Sequence, residues 1–125
     1  SEVSQLVDES DRAWHIGATY DCGRNNGTLC SLDGTSSNSI SVGIEHGGYV
    51  SGTYEDAQLQ KSADLVAYLC EQYGIPKERA TYVPTDAGDN ETGGIIGHDQ
   101  VPGSTHTDPG DNWNWDYFID LVNQY

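Results

Sequence analysis

The sequence of 125 residues contains no methionine, a single phenylalanine, and five basic residues against twenty acidic ones. Each shortage excludes something. Arg12, Arg24, Lys61, Lys77 and Arg79 are the only fixed cations, and they form no stripe. A formal net charge of −15 repels nucleic-acid backbones and anionic lipid surfaces, because binding to either needs clustered Lys and Arg. No apolar run approaches the ~18 residues of a membrane helix, and no secretory apolar core is visible. The three cysteines include no C-x-x-C pair, so a zinc-finger arrangement is excluded. The missing methionine accompanies an alternating apolar pattern that begins at Val3. Together they suggest a chain that opens inside a sheet.

What is present indicates an ordered globular domain. Eight tyrosines and three tryptophans supply aromatic bulk, and fifteen glycines supply turns. The length fits one domain over residues 1–125, large enough to bury roughly two-thirds of its unfolded surface. The acidity reads as a solvated surface and fits a secreted or salt-tolerant protein. Cys22 and Cys30 stand eight apart in a Gly/Asn/Ser-rich loop, where a disulfide is expected in an oxidising compartment. Cys70 falls in a helical pattern and reads as a small buried hydrophobe.

Periodicity gives the elements. Val3, Gln5 and Val7 alternate with Ser4, Leu6 and Asp8 as a strand does. Ile40, Val42 and Ile44 alternate with Ser41, Gly43 and Glu45, which predicts a strand with Glu45 on its open face. Leu59, Ala63, Val66, Cys70 and Tyr73 recur at helical spacing after a capping-box pair, Thr53 and Asp56, and Gly74 and Pro76 end that helix. A short strand is expected at 80–83. The acidic loop 85–94 follows, in which Asp86, Asp89, Asn90 and Glu91 offer a weak calcium reading without EF-hand spacing. Ile95 and Ile96 lead into Gly97 and His98. Trp115, Phe118, Ile119, Leu121 and Val122 form a final helix capped by Asn114 or Asp111. The pattern predicts an α/β fold, a single mixed sheet covered by helices.

Of four histidines, His98 follows an apolar run and a glycine. Asp108 lies ten residues further on, in a loop stiffened by Pro102, Gly103, Pro109 and Gly110. Imidazole and carboxylate suit zinc. Spacing alone leaves a metal site and an ordinary surface loop equally open.

The segments themselves go further. GHDQVPGSTHTDPGDNWNWDYF at 97–118, SISVGIEHGG at 39–48, DRAWHIG at 11–17 and DAQLQKSADLVAYLCEQYGIP at 56–76 together resemble the zinc-dependent N-acetylmuramoyl-L-alanine amidases, whose fold is shared with peptidoglycan-recognition proteins. The resemblance is collinear over nearly the whole chain. It implies a Zn²⁺ cofactor with His98 and Asp108 as ligands, Glu45 as the catalytic carboxylate, and His106 beside the reacting carbonyl. It places Trp14 and His15 on the substrate groove, with Asn38 lining it as well. The family's remaining zinc ligand is a histidine on its first strand, which has no counterpart here. The fold is therefore expected to be N-terminally incomplete, with the strand lost or supplied by a separate peptide or a second chain. His46 is set aside as a substitute ligand because it points to the other strand face. His106 is set aside because it is expected to diverge from Asp108 along the loop.

The implied function is hydrolysis of the bond between N-acetylmuramic acid and L-alanine in peptidoglycan, in wall lysis or remodelling. The implied setting is secreted, wall-associated or phage-encoded. The alternative is a module that binds peptidoglycan or muropeptides without cutting them.

Overall fold

The computed structural model describes residues 2–25, 27, 29–80 and 93–125. Of the strand expected at 80–83 only Ala80 is among them, and the calcium reading of the acidic loop lies outside the described residues. In order, the elements are the 3-10 turns Cys30–Leu32 and Ser37–Ser39, helix α1 (Asp56–Tyr73), the 3-10 turn His98–Gln100 and helix α2 (Trp115–Gln124).

Helix α1 is rich in Ala, Leu and Gln, all good helix formers, and contains neither Gly nor Pro. It ends at Gly74, whose φ of 65° suits glycine, and its last turn is closed by Ile75 N–H donating to the Cys70 carbonyl at 2.9 Å. Its start differs from expectation. Glu55 is the N-cap and makes no side-chain cap bond, so the Thr53 capping box does not form. Asp56 is instead engaged by Gln60 and by the Tyr117 hydroxyl of α2. Helix α2 is capped as foreseen by Asn114, whose side-chain oxygen accepts the Tyr117 N–H at 3.1 Å.

The core lies between these helices. Leu59, Ala63, Val66, Ala67 and Cys70 of α1 bury against Phe118, Leu121 and Val122 of α2, with Trp113 closing one end. At ~1.5–3 kcal/mol for each large apolar side chain removed from water, this interface is the main stabilising feature of the described fold. Tyr73, at the end of the predicted apolar face, is exposed instead. Trp113 packs edge-on against Tyr54 and His46, and the His46 ring bonds Ser62 of α1 at 2.7 Å.

The predicted mixed sheet is not formed among the described residues. Strand-type pairing there is confined to two single bridges, Thr19 with Ser36 (antiparallel) and Arg79 with Ile95 (parallel). The segments at 3–7 and 40–44 form no strand. Val3, Leu6, Ile40 and Val42 are exposed, and only Ile44 packs on the core. Alternation reports which side chains would share a face. A strand also needs a neighbour for its N–H and C=O groups, and neither segment has a ladder partner among the described residues.

The described residues of the loop between 18 and 37 bond to one another. Tyr20 N–H donates to Thr35 O, Gly34 N–H to Tyr20 O and Ser37 N–H to Ala18 O, at 2.8–3.0 Å. Cys22 and Cys30 are disulfide-bonded across its tip, and Cys70 is free and buried. Among the described residues, no helix is long and apolar enough to cross a membrane.

Candidate metal centre and active site

Gly97 sets the entry to the site. A Cβ there would stand 2.8 Å from Pro109 Cδ and 3.1 Å from the Trp115 ring, so only glycine lets the 106–110 loop lie against this turn. Asp99 N–H then donates to the Asp108 carbonyl at 2.8 Å, which brings the two ends of the ten-residue loop together. The Tyr54 hydroxyl donates to Pro109 O at 2.9 Å and ties the loop to the core.

This closure places His98 against Asp108, with Nδ1 3.1 Å from Oδ2. The other ring nitrogen, Nε2, lies 3.0 Å from the Ile16 carbonyl. A carbonyl oxygen only accepts, so Nε2 carries the hydrogen, and the neutral ring then presents a lone pair at Nδ1 to a carboxylate oxygen. Two acceptors face each other there, and that geometry calls for a proton or a metal cation between them. Two donors bound tetrahedrally to one zinc at ~2.0–2.1 Å stand roughly 3.3 Å apart, close to the spacing seen. The pair therefore fits two of the three protein ligands that a catalytic zinc takes.

His106 belongs to the same cluster, contrary to the expected divergence from Asp108. Its Nδ1 is 3.6 Å from Asp108 Oδ1, and one donor atom from each of His98, His106 and Asp108 lies within 4.8 Å of the others. The reason is that residues two apart on an extended segment share a face. His106 N–H is held at 3.1 Å by the hydroxyl of buried Ser104, whose carbonyl accepts from Arg24 at 3.2 Å. The rings of His98 and His106 stack 3.9 Å apart at an interplanar angle of 11°. Imidazole lone pairs lie in the ring plane. Two parallel stacked rings therefore do not aim at one point, and His106 stands beside the His98–Asp108 pair with its side chain largely exposed.

The groove residues separate. Trp14 is 82% exposed and carries the Arg12 guanidinium over its ring at 4.6 Å. His15 turns the other way. Its Nε2 bonds Ser41 Oγ at 2.9 Å, Ser41 donates to Ser37 O at 2.7 Å, and the ring lies on Gly43, where a Cβ would be 2.5 Å from it. Burial pushes the His15 pKa below its ordinary value. The Ala13 carbonyl and the Glu45 charge oppose this, and His98 adds to it. Glu45, His15 and His98 therefore share one electrostatic neighbourhood. Glu45 is exposed rather than enclosed in a cleft. The His46 ring bonds Ser62 of α1 and packs on Trp113; burial lowers its pKa, and the Glu45 charge opposes this.

Asn38 is buried, and its Oδ1 accepts the Ile16 N–H at 2.8 Å. It does not line an open groove. Ile16, Ser41 and Ser104 are the participants that sequence reasoning missed. Ser41 was within reach, because it sits two residues from Gly43 on the face also assigned to Glu45. Ile16 acts through its backbone and leaves no signal in side-chain chemistry.

Residues 1–111 match the family described as N-acetylmuramoyl-L-alanine amidase. The 1,6-anhydro-N-acetylmuramyl-L-alanine amidase AmpD of Salmonella typhimurium SL1344 is 33% identical over 121 residues, covering 97% of this chain and 51% of the relative. AmpD of Escherichia coli K12 is 31% identical over 123 residues, covering 98% and 54%. AmpD of Haemophilus influenzae is 26% identical over 121 residues, covering 96% and 52%. The chain thus spans about half the length of the curated relatives it matches. No solved structure matches it. The family match covers most of the chain and includes His98, Asp108, His106 and Glu45, so the chain belongs to the N-acetylmuramoyl-L-alanine amidase family.

Proposed function

We propose that the protein is a zinc-dependent amidase that hydrolyses the bond between the lactyl group of N-acetylmuramic acid and L-alanine in peptidoglycan or its fragments. The observation that carries this reading is the facing pair of His98 Nδ1 and Asp108 Oδ2, with Nε2 already committed to the Ile16 carbonyl. His98 and Asp108 hold the metal. Bound there, zinc supplies Lewis acidity at the amide carbonyl and lowers the pKa of water towards ~7.

The remaining chemistry belongs to this chain's side chains. Glu45 takes a proton from the attacking water and passes one to the leaving amine nitrogen. His106 presents an N–H to the oxygen that gains charge in the tetrahedral transition state. Its exposure and its stacking on His98 favour that role over ligation. Trp14, held by Arg12 at the surface beside the His15 turn, offers an apolar face to the sugar or the stem peptide. His15 holds the segment that leads to Glu45, bonding Ser41 and packing on Gly43. The Cys22–Cys30 disulfide supports a setting in an oxidising compartment.

The relatives are named 1,6-anhydro-N-acetylmuramyl-L-alanine amidases, so both intact sacculi and a 1,6-anhydro-N-acetylmuramyl-L-alanine substrate are the ones to test. Release of peptide with free N-terminal L-alanine is expected, abolished by chelation and restored by zinc. Tight muropeptide binding by a zinc-free protein, with no product, would instead establish a binding module.

A further inference from the structure

His98 can present Nδ1 to Asp108 only while its Nε2–H is held, and the holder is the Ile16 carbonyl at 3.0 Å. That carbonyl must itself be fixed, and the next residue, Gly17, is in the left-handed region at a φ of 69°. Asn38 supplies the restraint. Its side chain is buried, with the residue 4% exposed, and its Oδ1 accepts the Ile16 N–H at 2.8 Å. Asn38 is anchored in turn by the Ser37–Ser39 turn, in which Ser37 N–H donates to Ala18 O and Ser39 N–H to Ser36 O. Both polar backbone groups of Ile16 are thus committed, one to Asn38 and one to His98.

We infer that Asn38 is a positioning residue for the metal ligand His98, acting through the Ile16 backbone to fix which ring nitrogen faces the metal. The inference rests on the zinc reading of His98 and Asp108. It replaces the groove-lining role expected for Asn38, because a buried amide does not touch substrate. Outer partners that hold the second nitrogen of a ligating histidine set its tautomer and ring orientation, and their loss typically lowers metal affinity 10–100-fold.

The test measures zinc affinity of the full chain by chelator competition for the parent, Asn38→Leu and Asn38→Asp. Leucine keeps the volume and removes the acceptor, so a loss of roughly 10–100-fold is expected. Aspartate keeps an oxygen for the Ile16 N–H and is expected to hold zinc nearly as the parent does, a rescue that a packing role would not produce. Folded Asn38→Leu binding zinc with parental affinity overturns the inference while leaving the zinc reading intact. A parent that binds no zinc overturns the zinc reading itself. Should Asn38→Leu fail to fold, the imidazole nitrogen shifts of His98 in the metal-free parent decide. A stable Nε2–H form supports the restraint, and an Nδ1–H form overturns it.

Discussion

His98 and His106 lie 3.9 Å apart with nearly parallel rings, and that stacking separates their roles. The first is tied at both nitrogens, to Asp108 and to the Ile16 carbonyl. The second has one edge near Asp108, one face against His98 and the remainder exposed. His106→Ala is therefore expected to retain zinc while losing turnover by roughly 10²–10³, the cost of removing one oxyanion donor. Zinc content and turnover measured on the same preparation check this, and loss of zinc with the ring would make His106 a ligand. His46 gives a second residue-scale prediction. Burial lowers its pKa from the ordinary 6.5, so below that pH the unfolded chain takes up a proton that the folded one resists. Its contribution is full above pH 6.5 and declines as the pH falls below it. His15 shares the sign. Thermal melts from pH 7.5 to 5 should show this decline, and His46→Gln should reduce it. An unchanged slope would mean that His46 titrates equally in both states.

The two helices carry the stability of the described fold, and most of their anatomy was legible in sequence. The spacing of Leu59, Ala63, Val66 and Cys70 gave the buried face of α1, and Gly74 gave its end, because helix periodicity and a left-handed cap are local properties. Asn114 was readable for the same reason. Phe118, the single phenylalanine, is 2% exposed between the helices. Phe118→Ala is expected to cost about 3–5 kcal/mol in denaturant melts. A cost under ~1 kcal/mol would show a core able to collapse around the gap. The disulfide closes a short loop, and Cys22→Ser is expected to cost about 2.5 kcal/mol on the chain-entropy account. An equal stability of oxidised and reduced protein would contradict that. The strands were less legible. The pattern at 40–44 shows the potential for a buried face, but pairing depends on a neighbour that local sequence does not specify. Ile40 and Val42 are accordingly exposed.

Across the whole molecule, the site joins segments far apart in sequence: the turn at 14–16, the stretch at 38–45 and the loop at 97–108. The meeting of His98 and Asp108 was legible from residue type and resemblance. The bond of His98 to the Ile16 carbonyl, which spans 82 positions, was not, because a backbone acceptor is the same at every residue. The net charge of −15 leaves the few arginines conspicuous. Arg12 and Arg24 both bond near the site, to Ser36 and Ser104. The proposed reaction is cleavage of the muramoyl–L-alanine bond with Glu45 as proton carrier. The most direct measurement is free N-terminal L-alanine released from defined muropeptide by zinc-loaded parent and zinc-loaded Glu45→Gln. Release by the parent, with a loss of at least ~10²-fold in the variant at equal zinc content, is the predicted result. Equal release by both, or none by the parent, contradicts it.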